Sequence, residues 1–330
     1  MKLAILRKPQ ESAISYYRLT PWLELARQNN WQAHEFAPKQ FNADSAHLFD
    51  ALIVSRPGSA DELMSIVIAK NVGVKVIVDI DDLMWAIPVG NDAFRHYSPD
   101  VHDVLSRGLL WADAVICSTD ALRMELKAEF DIDAEVVYNR YNDRSIFLQK
   151  PSDWKGKIRV LWRGSNTHHT DLFKYRDAFQ EFENVQFEFF GPVPWYFLEQ
   201  YGGKLKNLIC HSFKYDVLSY FQKLKDLKPD FMVFPLEDNK FNRAKSNISW
   251  IEATQSGAAF IGPALSEFDG LKISSFEKPD ELLDYFKYLD EFPRTAKAES
   301  IKFVNAMQDH LKYNFKLSDE NQKRAQILIQ

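Results

Sequence analysis

The sequence predicts an α/β protein built from two doubly wound parallel-sheet domains. Three observations support this prediction. Short apolar strands alternate with helical stretches through both halves of the chain, which is the pattern of parallel sheets. The 330 residues, 46% of them apolar, are enough for two full cores. Residues 142–154 contain Pro151 and several polar residues, so we expect a linker there. The predicted domains are 1–150 and 151–295, followed by a helical segment, 296–330.

The first half opens with an apolar strand, and further elements follow at regular spacing. The glycine fingerprint of nicotinamide-binding enzymes does not follow the first strand, which argues against a dehydrogenase. Pro21 interrupts the first predicted helix, and the last strand of this half is the run around Tyr138. The predicted strands are 2–6, 31–36, 51–55, 74–85, 111–119 and 136–139, and the predicted helices are 16–29, 61–70 and one beginning at about residue 120.

The second half repeats this architecture without repeating the sequence. Gly257 follows an apolar helical stretch directly, so it predicts the end of a helix. The predicted strands are 157–162, 185–190, 209–213, 231–236 and 258–261, and the predicted helices are 215–227, 244–256, 277–291 and 296–313.

The stretch 231–261 forms one strand–loop–helix–strand unit and carries the first candidate site. Lys245 and Ser246 lie at the predicted start of its helix, where unpaired N–H groups and the helix dipole favour a phosphate. Glu252 lies seven residues later, two turns down the same face, at about the distance of a ribose from its diphosphate. This spacing fits a nucleotide diphosphate. A solvated helix face explains the spacing equally well.

A second candidate follows the strand 157–162. Arg163 can hold a phosphate in a bidentate fork, and a turn containing Gly164 and Ser165 brings backbone N–H groups close to a ligand. His168 and Asp171 follow in the same loop. Taken alone, the segment could be a helix cap with Asp171 in the first turn.

Three carboxylates end the strand 74–85, namely Asp79, Asp81 and Asp82. The carboxyl ends of parallel strands face the ligand crevice of an open sheet, so we expect these side chains and Glu237 near the cleft. An Asp-x-Asp run can hold Mg²⁺, but polar contacts across the cleft are the favoured interpretation. Ser118 and Thr119 are expected to cap the helix at residue 120.

These motifs resemble those of the retaining GT-B glycosyltransferases, the group 1 or family 4-like enzymes that use nucleotide sugars. The resemblance extends from the Arg56-Pro57 break through DIDD (79–82), ADAVICST (112–119) and WRGS (162–165) to the KS…E segment. In the last of these the matching residues are Asn242, Lys245, Ser246, Glu252, Ala253 and Gly257. The resemblance implies two Rossmann-like domains facing across a cleft, with the C-terminal helix returning to the N-terminal domain.

The resemblance also implies roles for the matching residues. The Lys245–Ser246 region would meet the donor diphosphate, and Glu252 would hold the ribose hydroxyls. The sequence departs from the family where Ala244 replaces a second glutamate, so contacts to the transferred sugar would come from Glu237, Asp238 or Asn242. The family usually needs no metal, and we expect no cofactor.

The reaction implied is transfer of a sugar from a nucleotide-diphosphate sugar to an acceptor hydroxyl with retention of configuration. Arg163 and Lys245 would stabilise the departing diphosphate. The proton could pass to that phosphate, with His168 and Asp81 as the other candidate bases. The acceptor could be a glycan, a lipid-linked glycan or a hydroxylated base in DNA. A basic stripe of Lys204, Lys206, Lys223 and Lys225 would favour DNA. An inactive sugar-nucleotide-binding protein is the non-enzymatic alternative, and the motifs specify neither the nucleotide nor the oligomeric state.

Composition limits the partners and the cellular compartment expected for the protein. A net charge of −5 argues against binding a polyanion through bulk charge. Cys117 and Cys210 lack metal-ligand spacing, so we expect two buried thiols in a reducing compartment. No apolar run approaches the roughly 20 residues of a membrane span. We therefore expect a cytoplasmic protein that is not integral to a membrane.

Overall fold

The computed structural model describes residues 1–7, 15–142, 148–201, 205–212, 216–268, 270–271 and 273–329. These residues form two six-stranded sheets, and every strand pairing within each sheet is parallel. Helices cover both faces of each sheet, as parallel sheets require. The predicted α/β class with two doubly wound sheets is confirmed.

The first sheet has the strand order β2-β1-β3-β4-β5-β6. Its strands are β1 (Lys2–Leu6), β2 (Gln32–Phe36), β3 (Ala51–Ser55), β4 (Lys75–Ile80), β5 (Ala114–Cys117) and β6 (Glu135–Val136). The helices of this domain are α1 (Thr20–Gln28), α2 (Ala43–Ala46), α3 (Ala60–Asn71), α4 (Pro99–Trp111) and α5 (Asp120–Phe130). A π-helical turn, Ser15–Leu19, precedes α1.

Side-chain caps explain where several of these helices begin. Ser59 and Glu62 form a capping box at the start of α3, and Ser98 caps α4, whose first residue is a proline. The hydroxyl of Thr119 accepts the N–H of Leu122 and so caps α5. The predicted capping of this helix is therefore correct for Thr119.

The second sheet has the strand order β12-β11-β10-β7-β8-β9. Its strands are β7 (Ile158–Arg163), β8 (Val185–Phe190), β9 (Leu208–His211), β10 (Phe231–Val233), β11 (Ala259–Pro263) and β12 (Ser274–Phe276). The helices between them are α6 (His169–Lys174), α7 (Trp195–Tyr201), α8 (Val217–Leu227), α9 (Lys240–Arg243), α10 (Ile248–Ser256) and α11 (Pro279–Glu291). The strand order reverses between β7 and β10, and the crevice at such a switch point is where open α/β sheets bind ligands.

Two helices end the chain, and they pack on different domains. Helix α12 (Pro293–Asn314) lies on the C-terminal domain, where Met307 and Leu311 join the core around Trp250. Helix α13 (Leu317–Ile329) places Ile327 and Leu328 in the N-terminal core. The predicted segment 296–330 thus divides, and only α13, which the sequence pattern did not predict, returns to the first domain.

Gly257 ends α10 in the left-handed conformation with φ of 75°. A Cβ atom there would lie 2.5 Å from the carbonyl oxygen of Lys150 in the interdomain linker. Glycine is thus required both by the backbone conformation and by the close approach of the linker. The predicted helix end at this position is correct.

The two cysteines differ from expectation. Cys117 is fully buried in β5, and burial raises the pKa of its thiol to about 12. Cys210 is exposed on the edge strand β9, so the prediction of two buried thiols is wrong for this residue. Among the helices of the described residues, none has the length and apolar character needed to cross a bilayer.

Candidate functional site

A pocket of about 340 Å³ lies between the carboxyl ends of the two sheets. Its N-terminal wall follows β3 and β4, and its C-terminal wall follows β7 and β10, the strands at the switch point. The charged or titratable side chains that line it are Tyr17, Arg56, Asp81, Asp82, Tyr97, Arg163, His168, Lys245 and Glu252. Positive and negative groups from both domains therefore meet in one pocket.

Arg163 and Glu252 form an ion pair in the C-terminal wall. Arg163 ends β7, and its Nη2 lies 2.7 Å from Oε2 of Glu252, in the middle of α10. Nη2 also donates to the hydroxyl of Ser249 at 3.2 Å, and the guanidinium lies 5.2 Å from the centre of the Phe234 ring. The Nε of Arg163 is buried and has no partner among the described residues. A ligand acceptor in the pocket could satisfy this N–H.

Two tyrosines share the carboxylate of Glu252 with Arg163. The hydroxyl of Tyr220 donates to Oε2 at 2.6 Å, and that of Tyr17, from the other domain, donates to Oε1 at 3.2 Å. Glu252 itself is only 2% exposed. An ionised carboxylate offers about four acceptor positions, so one remains available after these three contacts.

A second charge cluster joins the N-terminal wall to Lys245. The Nη2 of Arg56 lies 2.7 Å from Asp82, its Nε donates to Asp81, and Nζ of Lys245 lies 3.6 Å from Asp82. Lys245 also lies 4.5 Å from the centre of the Phe241 ring. Burial raises the pKa of Asp82, but Lys245 and Arg56 lower it further than burial raises it, so Asp82 stays ionised.

His168 and Asp171 form a third polar group at the pocket wall. Nδ1 of His168 lies 3.0 Å from Oδ2 of Asp171, and both residues are buried. The other carboxylate oxygen of Asp171 accepts the side-chain amide of Asn242 at 2.7 Å and the backbone N–H of Glu237 at 2.9 Å. Asp171 is thus fixed by three donors.

Hydrogen bonds cross from one domain to the other beside the pocket. The amide of Asn139 donates to the hydroxyl of Ser246 at 2.9 Å, and Thr119 donates to the carbonyl of Ala244 at 2.9 Å. The amide of Asn91 donates to the carbonyl of Thr167 at 2.8 Å. The first two contacts hold the segment 244–246 against the N-terminal domain, and the third holds the loop at Thr167.

Comparison with known proteins gives matches among solved structures. No protein-family model matches the chain, and no curated protein sequence matches it. Anabaena HepE, solved with UDP and glucose, superposes with a TM-score of 0.71 at 13% identity over 99% of both chains. The lipopolysaccharide outer core galactosyltransferase WaaB gives 0.61 at 12% identity over 99% of both chains. The DNA-modifying enzyme β-glucosyltransferase gives 0.57 at 12% identity, also over 99% of both chains.

The chain has the GT-B fold. The whole-chain superpositions and the two facing parallel sheets decide this together. The fold predicted from the ordered motifs is therefore confirmed.

The GT-B pocket contains most of the predicted site residues. Arg163, Ser165, His168, Lys245, Ser246 and Glu252 line it from the C-terminal domain, and Asp81 and Asp82 from the N-terminal domain. The two C-terminal motifs, separated by about eighty residues in the sequence, thus share one wall.

The predicted start of the key helix is wrong. Helix α10 begins at Ile248, with Asn247 as its N-cap residue. The short helix α9 occupies part of the predicted loop before it. Lys245 and Ser246 lie in the turn between the two helices, not in the first turn of α10. Lys245 therefore reaches the pocket from a loop, and the argument from one helical face does not apply to it and Glu252.

Asp79 does not face the cleft as predicted. Asp79 is fully buried, and its Oδ1 lies 2.7 Å from Nη2 of Arg18, which is fully buried too. Arg18 also donates to the carbonyl of Val137 and, at 3.2 Å, to Asn139. Asp79 thus anchors the π-helical turn to the sheet inside the N-terminal domain.

Three other predicted residues support the site from behind. Asn242, Asp171 and Glu237 are joined to one another by hydrogen bonds and do not line the pocket. The backbone N–H of Gly164 donates to the carbonyl oxygen of Phe190 at 3.3 Å. Asn242, Asp171 and the backbone of Glu237 therefore lie behind the pocket wall, and the donor or cleft contacts expected of these residues and of the turn at Gly164 stay predictions.

The sequence pattern missed Tyr17, Tyr220, Arg56 and Tyr97 as pocket or carboxylate contacts. Arg56 directly follows β3, and Tyr17 lies in the connection after β1. The rule that ligands bind at the carboxyl ends of parallel strands could have indicated both positions. Within the described residues, no group of three or more His, Cys, Asp or Glu side chains is placed to hold a metal ion.

Proposed function

We propose that this protein is a glycosyltransferase that moves a sugar from a nucleotide-diphosphate sugar to an acceptor hydroxyl. The observation that carries the proposal is the meeting of Arg163, Lys245 and Glu252 in one interdomain pocket of a GT-B fold. Two cations suit a diphosphate, and a nearby buried carboxylate suits a ribose hydroxyl.

The phosphate half of the donor would bind to the cations. The buried Nε of Arg163 has no partner in the described part of the chain, and Nζ of Lys245 lies 3.6 Å from Asp82 and beside the Phe241 ring. A diphosphate oxygen would accept the N–H of Arg163 Nε, and another would replace Asp82 as the partner of Lys245. As the bond to the sugar breaks, negative charge grows on the diphosphate, and preorganised cations stabilise that charge.

The ribose half would bind to Glu252. Tyr17 makes the longest of the three contacts to this carboxylate and belongs to the opposite domain. A ribose hydroxyl can replace the Tyr17 hydroxyl on Oε1 while Arg163 and Tyr220 keep Oε2 in place. The donor would then lie along the wall formed by β7 and α10, with its sugar between the domains.

We propose a uridine nucleotide sugar as the first donor to test. The structure of HepE in complex with UDP-glucose superposes on this chain with a TM-score of 0.67. We further propose that configuration is retained, since the KS…E segment resembles that of retaining enzymes. Arg163 and Lys245 supply the positive charge that a metal would otherwise provide. EDTA should therefore leave the rate unchanged.

A hydroxylated base in DNA is a second candidate acceptor, favoured by the superposition on the DNA-modifying β-glucosyltransferase. Of the lysines predicted to form a basic stripe, Lys206 and Lys225 are exposed and Lys223 is half-buried, while Lys204 lies outside the described residues. Transfer of labelled glucose to DNA containing hydroxymethylcytosine, compared with unmodified DNA and with a glycan acceptor, tests this candidate.

The test of the proposed function is release of UDP from UDP-glucose by the purified protein. Lys245→Ala should abolish release, because the leaving diphosphate loses one of its two cations. The matched control is Lys287→Ala, which removes an exposed lysine paired with Asp284 far along α11. Binding of UDP-glucose without any release, in the presence of glycan and DNA acceptors, would favour an inactive sugar-nucleotide-binding protein.

A further inference from the structure

The side-chain amide of Asn139, which follows β6, has one possible orientation. The residue is 1% exposed, and its Oδ1 accepts a hydrogen bond from Nη1 of Arg18 at 3.2 Å. An arginine donates hydrogen bonds and accepts none, so the amide oxygen must face Arg18 and the amide nitrogen must face the other way. That nitrogen, Nδ2, donates to the hydroxyl of Ser246 in the other domain at 2.9 Å.

Arg18 is itself fixed inside the N-terminal domain. It is fully buried, and its Nε and Nη2 both bond to the carboxylate of Asp79. Nη1, the nitrogen that faces Asn139, also donates to the carbonyl of Val137. The guanidinium therefore cannot turn away from Asn139 without breaking buried hydrogen bonds, which are costly to leave unmade.

The orientation of Asn139 decides what the Ser246 hydroxyl can do. A hydroxyl has one proton to donate and two lone pairs that accept. Because one lone pair of Oγ accepts Nδ2 of Asn139, the hydroxyl proton points elsewhere. Within the described part of the chain no residue accepts this proton, and Ser246 lines the pocket directly beside Lys245. The O–H group is therefore available to an acceptor atom of a ligand.

A second contact from the N-terminal domain fixes the backbone next to Ser246. The hydroxyl of Thr119 donates to the carbonyl of Ala244 at 2.9 Å, and Thr119 is fully buried. Neither Thr119 nor Asn139 lines the pocket. Both the position of Ser246 and the direction of its proton are thus set by residues of the opposite domain that do not reach the ligand themselves.

We propose that Asn139 is a positioning residue for the donor, because it directs the Ser246 proton to a phosphate oxygen of the nucleotide diphosphate. This inference rests on the proposed function, in which Lys245 is one of the two cations that bind the diphosphate. An anionic phosphate oxygen beside Lys245 is the acceptor that suits this O–H, since hydrogen bonds to charged acceptors are the strong ones.

Asn139→Asp tests the inference because it keeps the shape of the side chain and reverses one hydrogen bond. An ionised carboxylate only accepts, so it would take the Ser246 proton and leave lone pairs of Oγ facing the pocket. Asn139→Ala instead removes the contact and lets the hydroxyl rotate. The measurements are the Kd for UDP by calorimetric titration at pH 8 and urea unfolding, for each Asn139 variant alone and combined with Ser246→Ala.

Asn139→Asp should raise the Kd for UDP by about 10- to 100-fold, as a hydrogen bond to a charged group is lost. Asn139→Ala should raise it by only about two- to fivefold, the cost of orienting a free hydroxyl, although it should be the less stable of the two variants. A role limited to holding the domains together predicts the reverse order of affinities. In the Ser246→Ala background both changes at Asn139 should alter the Kd by less than about twofold.

The matched control is Asn91→Asp, which makes the same change at another amide that crosses between the domains, to the carbonyl of Thr167. It should leave the Kd for UDP within about threefold. An equal loss of affinity in Asn91→Asp would overturn the inference, because domain packing would then explain both effects.

Two further results would overturn the role of Asn139 and leave the proposed function intact. One is an unchanged Kd in folded Asn139→Asp, and the other is a loss of affinity that persists undiminished in the Ser246→Ala background. If Asn139→Asp does not fold, the cycle of Asn139→Ala with Ser246→Ala decides, and additive effects overturn the inference. Failure of the wild type to bind UDP would instead overturn the proposed function.

Discussion

The hydroxyl of Tyr17, from the N-terminal domain, donates a hydrogen bond of 3.2 Å to Glu252 in the C-terminal domain. It is the longest of three contacts that hold this carboxylate, and it occupies the acceptor position assigned to the donor ribose. The two domains are thus joined across the cleft by a contact that the substrate would replace. The Tyr17 and Tyr220 hydroxyls therefore have different roles at Glu252: the first competes with the ribose, and the second holds the carboxylate in place.

Tyr17→Phe and Tyr220→Phe should therefore have different effects. Tyr17→Phe removes a competitor of the ribose, so the Kd for UDP should stay the same or fall by up to about fivefold, since a long hydrogen bond of 3.2 Å is worth about 1 kcal/mol. Tyr220→Phe removes a 2.6 Å bond to the carboxylate and should cost about 1.5–3 kcal/mol of folding stability. Calorimetric titration with UDP and urea unfolding measure both, and equal effects of the two variants would contradict the assignment.

The Arg163–Glu252 pair should show strong coupling in a double-mutant cycle. Each side chain is largely buried, 15% exposed for arginine and 3% for glutamate. Glu252→Gln alone leaves a buried guanidinium without its counter-charge and should cost about 3–5 kcal/mol. Combining it with Arg163→Met should cost less than the sum of the single changes. Urea unfolding of the four proteins gives the coupling, and additive costs would show that the pair does not interact.

Asp82→Asn should strengthen UDP binding. Asp82 competes with the diphosphate for Lys245 across a 3.6 Å contact, and a partly exposed ion pair is worth up to about 1 kcal/mol. The Kd should therefore fall by up to about fivefold at low salt, as measured by calorimetric titration. Asp81→Asn is the control, because Asp81 pairs with Arg56 and not with Lys245. Weaker UDP binding in Asp82→Asn would argue against this competition.

Asp79→Asn should affect stability and not the donor site. Asp79 and Arg18 are both fully buried, and removing one charge of such a pair costs about 3–5 kcal/mol. The pair lies inside the N-terminal domain, so the folded variant should bind UDP with the affinity of the wild type. Urea unfolding and UDP titration separate the two effects. A large loss of UDP affinity with normal stability would indicate that Asp79 contacts the donor in the cleft.

The sequence predicted the elements whose signals are local. The run ALIVS at 51–55 is buried at every position and forms β3 with the predicted bounds. Gly257 marked the end of α10 because a left-handed residue is needed there. The motifs around Arg163 and Lys245 identified one wall of the pocket because each directly follows or precedes a buried element.

The remaining features depend on tertiary structure. Helix α13 has a polar sequence, LSDENQKRAQILI, without the periodic apolar pattern that predicts a helix. It is stabilised by docking on the N-terminal core. Tyr17 and Glu252 are 235 residues apart in the chain and meet only when the domains face each other. The strand-end rule placed three carboxylates at the cleft, yet it could not distinguish Asp79, which pairs inward with Arg18, from Asp82, which reaches Lys245.

The central claim is that the interdomain pocket binds a nucleotide diphosphate through Arg163 and Glu252. The most direct measurement is thermal unfolding of the protein with UDP, GDP, CDP and ADP and their common sugars, with and without Mg²⁺. One nucleotide at about 100 times its dissociation constant should stabilise the protein by about 2.7 kcal/mol. The shift should not need Mg²⁺, and each of Arg163→Ala and Glu252→Ala, compared with its own ligand-free form, should lose it. No shift with any nucleotide, or a shift that survives both substitutions, would contradict the account.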